Sequence, residues 1–172
     1  MKLLMFMLGM SVVMRAASAA PVSRSFPDCT AAQLSLGFDD ENGRFDGMSQ
    51  SGTLLVLRNL GPAACKLPAL PVLWFEDEGH HSVPAERRPP AGMNPGPVLL
   101  PVAVAPQAEL TARLHWVSND VYGDSHNCIR PEIAVLEVPD GTLRQRFGRQ
   151  MCAPEHSTQY FTQAPLQPDH SL

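Results

Sequence analysis

The chain is poor in several things that common activities require. Aromatic residues make up 6% and charged residues 17% of the 172 positions. Aromatics this scarce give no obvious stacking platform for a sugar. A basic excess is missing: 13 Lys and Arg stand against 17 Asp and Glu, a formal net charge of -4. That excludes the basic face a nucleic-acid partner demands. No Cys-x-x-Cys pair occurs, so the usual spacing of zinc ligands is absent. After residue 20, no window free of both Pro and Gly shows a 3.6-residue period, and no apolar run is long enough to span a bilayer. What the chain does have is 44% hydrophobic residues. That suffices for one packed domain and argues against disorder over most of its length.

The first twenty residues read as a secretory signal peptide. Lys2 supplies the positive start, and Leu3–Met14 is apolar but for Ser11. Ala17-Ser18-Ala19 and Ser18-Ala19-Ala20 offer two registers of small-x-small cleavage, after Ala19 or Ala20. A membrane anchor fits poorly, because twelve helical residues reach only about 18 Å against about 30 Å of hydrocarbon. A periplasmic or secreted protein without a membrane span is therefore expected. Removing residues 1–20 takes Lys2 and Arg15 and no acid, so 13 bases become 11 against 17 acids, a net of -6. It also leaves Met48, Met93 and Met151 as the only methionines.

In an oxidising compartment, four cysteines read as a disulfide framework. Three connectivities are open. Pairing sequence neighbours, Cys29–Cys65 and Cys128–Cys152, is favoured, closing loops of 36 and 24 residues. The competing pair, Cys65–Cys128, resembles immunoglobulin spacing, with Trp74 nine residues after Cys65. Against it, Cys65 reads as part of the turn Gly61-Pro62-Ala63-Ala64-Cys65 and not as mid-strand, and His126 stands where a tyrosine corner would need Tyr.

Apolar residues alternate with period two. Leu34, Leu36 and Phe38 share a face; so do Leu110, Ala112, Leu114 and Trp116, with Glu109, Thr111, Arg113 and His115 opposite. Leu54–Leu57 is apolar on both faces, as in a central strand. Further strands are expected at Leu70–Phe75, Val98–Val104 (interrupted by Pro101), Ile133–Val138, Leu143–Phe147 and Thr158–Phe161. Turns are expected at Asp39–Gly43, Asp46-Gly47, Asn59–Pro62, Asp77–Gly79, Pro95–Pro97 and Asp140-Gly141. His80–Pro97 reads as a long surface connection and Gln163–Leu172 as a loose tail, leaving a domain over residues 21–162. Seven or eight short strands in this order predict an all-β antiparallel sandwich.

The run Gly52-Thr-Leu-Leu-Val-Leu-Arg-Asn59-Leu-Gly61-Pro-Ala-Ala-Cys65-Lys-Leu67-Pro-Ala-Leu-Pro71 resembles a segment of the bacterial exported family named domain of unknown function 4232. Cys29, a later strand ending in Trp116, Cys128 and Cys152 fall in that family's order over roughly residues 28–162. The resemblance implies an immunoglobulin-like sandwich with two disulfides on Cys29, Cys65, Cys128 and Cys152. It implies no activity. In the shared motif, Asn59 can cap the turn and Gly61 can take positive φ.

Chemistry is sparse. Gly47-Met48-Ser49-Gln50-Ser51 lacks the last Gly of a nucleophile elbow. His115, His126 and His156 with Met48 or Met93 would suit copper if the fold gathered them. A periplasmic His/Met copper protein is thus the alternative to a non-enzymatic binding or structural module of the envelope. Asp39-Asp40-Glu41-Asn42-Gly43 is oxygen-rich but misses EF-hand spacing. No catalytic residue, cofactor or metal ligand is assigned, and partner and oligomeric state are not specified. The candidate binding residues lie on loops: Met48 and Ser49, Met93 and Asn94, and His115, Asn119 and Tyr122. Trp116 is expected in the core, and the two Met residues are expected to plug loop ends.

Overall fold

The computed structural model describes residues 26–89, 96–123 and 127–169. The leader, Met93, Asn94 and His126 lie outside the described residues. The described chain is all-β, with thirteen strands: β1 (Leu34–Asp39), β2 (Gln50–Asn59), β3 (Cys65–Leu67), β4 (Leu73–Glu76), β5 (Ala85–Arg88), β6 (Val102–Val104), β7 (Glu109–Val117), β8 (Cys128–Ile129), β9 (Ile133–Val138), β10 (Gly141–Arg146), β11 (Met151–Cys152), β12 (Gln159–Gln163) and β13 (Gln167–Pro168).

They form one six-stranded sheet ordered β1-β2-β7-β12-β5, with β13 also on β7, and a three-stranded sheet ordered β10-β9-β4. Two strand pairs, β11-β8 and β3-β6, complete the set. All pairings between these strands are antiparallel except β12 with β5, so the large sheet is mixed.

The period-two pattern sets the faces. On β7, Leu110, Ala112, Leu114 and Trp116 are buried, and register puts them beside Leu57, Leu55, Thr53 and Ser51 of β2. On the small sheet, Leu73, Leu136 and Leu143 form one cross-strand row, and Phe75, Ala134 and Gln145 the next. Both sheets feed one core: the Phe75 ring meets Phe161 of β12 at 5.2 Å, edge to face, and Phe147 at 4.7 Å.

Disulfides join Cys29 to Cys65 and Cys128 to Cys152. Such bonds suit an oxidising environment. No helix among the described residues is long and apolar enough to cross a membrane.

Several expectations are corrected. Cys65 opens a strand: it pairs with Val104, although Asn59–Pro62 does turn before it. Gly61 does not adopt positive φ; an added Cβ there would lie 3.1 Å from both Asn59 Oδ1 and Gln33 Cβ, so space makes the demand. The stretch His80–Pro97 contains β5, unreadable as a strand because Glu86, Arg87 and Arg88 carry no apolar alternation. Val98–Leu100 is outside the strand, which starts only after Pro101, a residue with no N–H for a ladder. The segment from Gln163 is no loose tail. Leu166 is buried and donates its N–H to Ala69 O at 2.6 Å, while Gln167-Pro168 pairs with β7.

Candidate functional site

Of the predicted loop residues, Met48, Ser49 and Asn119 meet at one end of the large sheet. The β2–β7 ladder stops at Gln50 and Val117, but contact continues beyond it. Ser118 N–H donates to Ser49 O at 3.0 Å, and Asn119 Nδ2 donates to Met48 O at 2.7 Å. Gly47 N–H closes the turn on Gln50 O at 2.7 Å. Two loops are thereby tied together, and the Met48 side chain is driven outward to 98% exposure. It does not plug a loop end: the turn that would cover it spends its polar groups on backbone bonds.

Three residues after Asn119, Tyr122 belongs to an aromatic group. Tyr122 neighbours Tyr160 of β12, and the Arg88 guanidinium lies 4.1 Å from the Tyr160 ring centroid. Burial pushes the Tyr122 hydroxyl above its usual pKa; the nearby Tyr160 adds to this and Arg88 opposes it. Val121, beside Tyr122, is 52% exposed. His115 sits one step back, paired with Gly52 and Thr162 in a row across the outward face of the sheet. Trp116 turns inward as its alternation predicts, 2% exposed, and its Nε1–H donates to Gln150 O at 2.8 Å.

Sequence reasoning missed the residues that hold this end in place. Gln150, two residues before Cys152 of the second disulfide, donates through Nε2 to Ser118 O at 3.0 Å. Asn127, before Cys128, donates to Pro154 O and Ser157 O, and the buried Gln159 amide donates back to Asn127. No local pattern marks these amides; only burial of Gln159 on the inward face of β12 reveals its role.

The other sequence candidates separate. Ser51 gives its hydroxyl to Asp46, a carboxylate. In the acidic turn, Asp40 pairs with Arg149 at 2.6 Å and Glu41 with Arg44 at 3.0 Å, so the chain's own cations engage both carboxylates. Burial alone would raise the Asp40 pKa, but bonds from Arg149 and Thr53 bring it below its usual value. His156 is exposed beside Glu155. Among the described residues, no group of three or more His, Cys, Asp or Glu side chains is placed to hold a metal ion.

A second polar cluster lies on the small sheet. Glu76 is 5% exposed. It accepts from Arg144 Nε and Nη2, each at 3.3 Å, and from Trp74 Nε1 at 3.3 Å; His80 Nδ1 is 3.4 Å away. Trp74 and Arg144 flank Val135 from opposite strands, which brings the fork over β9 to the carboxylate. Burial works to raise the Glu76 pKa; the bonds from Arg144, Trp74 and His80 outweigh it and hold the group below its usual range.

Comparison with known families decides the relationship. The family model described as Domain of unknown function (DUF4232) matches residues 29–167, well over half of the chain. The chain belongs to this family. The DUF4232 match starts at Cys29 and reaches the first residue of β13, so it takes in both disulfides and most of the segment expected as a tail. No curated protein and no solved structure matches the chain.

Proposed function

We propose that this DUF4232 protein is an exported, non-enzymatic binding module with an immunoglobulin-like sandwich, engaging a partner in the cell envelope. The observation that carries this reading is a pair of loops tied together through Met48 and Asn119, with Met48 and Val121 exposed and with Tyr122, three residues after Asn119, set beside Tyr160 and Arg88. Met, Tyr and Arg are the residue types enriched where proteins bind one another. The loops presenting them are pre-ordered by backbone bonds and Asn119, which lowers the entropic cost of association. The shared core between the two sheets supports the sandwich reading. The apolar leader, the cleavage pattern at Ala19 or Ala20 and two disulfides support export.

The test is a photoreactive residue placed at position 48 or 122 and, as a control, at Lys66 of β3, a strand outside the large sheet. Irradiation in envelope material of the producing cell should give one defined adduct from 48 and from 122. Adducts only from 66, or from no position, would sink the reading.

A further inference from the structure

We propose a second binding site, for a small apolar molecule carrying one carboxylate, in the groove where the end of β5 meets residues 96–99 and 163–165. The groove holds about 370 Å³, within the range of small-molecule sites. Leu70, Pro97, Leu99 and Pro165 make its walls apolar, and Arg87 and Gln163 provide its polar part.

Charge accounting divides the arginines. Arg44, Arg58, Arg144, Arg146 and Arg149 each have a carboxylate partner. Arg87, like Arg88, Arg113 and Arg130, has none among the described residues, and of these four Arg87 and Arg88 line the groove. The groove lining contains no acid, and residues 90–95, which follow β5, contain none by sequence. Arg88, at the rim, is also without a carboxylate among the described residues and adds positive potential.

Arg87 is also fixed in place. Its Nη1 donates to Pro71 O at 3.0 Å and to Gln163 Oε1 at 3.3 Å. Gln163, 2% exposed, is itself anchored through Nε2 to Pro71 O. One nitrogen orients the fork, and the Nη2–Nε edge keeps the geometry that matches a carboxylate. A buried amide spent on aiming a guanidinium into an apolar groove describes a receptor for an acid with an apolar body. The site shares Arg88 with the Tyr122–Tyr160 group, but Arg87, Gln163 and the apolar walls that define it take no part in that group, so it does not depend on that role.

The test is calorimetric titration of the purified protein with dodecanoate, dodecanol, acetate and N-acetyl-trileucine with a free C terminus. One-to-one binding of dodecanoate, of the peptide acid or of both is expected, with dodecanol and acetate at least tenfold weaker. Preference between the two acids identifies a lipid-derived or a peptide-derived ligand. Arg87→Gln should lower the affinity at least tenfold. Because Arg87 also bonds to Pro71 and Gln163, Leu99→Asp on the exposed lip provides an independent variant, expected to weaken the acid by a similar factor. Absence of saturable binding by either acid, equal binding of dodecanol, or unchanged affinity in both variants would overturn the proposal.

Discussion

The two disulfide-bonded regions do different work although chain entropy would rate them nearly alike. Loops of 36 and 24 residues restrain the unfolded chain by roughly 3.8 and 3.4 kcal/mol in the loop-closure model. Their surroundings separate them. Cys29 and Cys65 are both 1% exposed and belong to the hydrophobic core. Beside them, the fully buried Asn59 accepts from Gly61 N–H and donates to Ala63 O and Val104 O, so the bridge closes on a saturated network. Cys128, by contrast, is only partly buried, and its bridge fastens two two-residue strands. Gln150, two residues before Cys152, and Asn127, one before Cys128, reach out to the loops that carry Ser118 and Ser157. One crosslink secures the core; the other secures the shape of a surface.

The comparison is most exposed to failure at the first bridge. Replacing Cys29 and Cys65 together by Ala should cost about 4 kcal/mol or more, the loop entropy plus lost packing, measured by denaturant unfolding. The Tyr122 titration of the remaining folded protein should not move. Replacing Cys128 and Cys152 by Ala should cost about 3 kcal/mol. It should also let the Tyr122 pKa fall toward the ordinary tyrosine value as the loop opens to water, read by ultraviolet titration. If the two double variants behave identically in both measurements, the division of labour is wrong. The smallest effect belongs to neither bridge. Glu76 has a folded pKa below its unfolded one, so its contribution is whole above the ordinary glutamate range. That contribution is lost as pH falls through the depressed folded value. Glu76→Gln should therefore lower the melting temperature at neutral pH, and the gap to the parent should narrow in strong acid. A gap that widens in acid would contradict the Arg144–Glu76 assignment.

The sequence was most legible where one face is buried and the other wet. Leu110 to Trp116 needed only alternation, and β1 followed from the same rule, while β2 was read from apolar residues on both its faces. It was least legible at edges. β5 has neighbours on one side alone and can afford Glu86, Arg87 and Arg88, so periodicity carries no trace of it. β3 and β13 are too short for a period to register. The loop end of the large sheet was legible in part: residue type flagged Met48, Asn119 and Tyr122, and a hydrogen bond brings the first two together. Tyr160 and Arg88 arrive from strands distant in sequence, and the Arg87–Gln163 pair spans 76 positions. Contacts of that kind are products of topology and leave no local signal.

β12 lies between β7 and β5 although both precede it in the chain. No pairing holds β5 to the large sheet until Gln159–Gln163 has taken the place between them. Closing that sheet therefore waits on residues far apart in sequence finding each other, the kind of non-local step that slows folding.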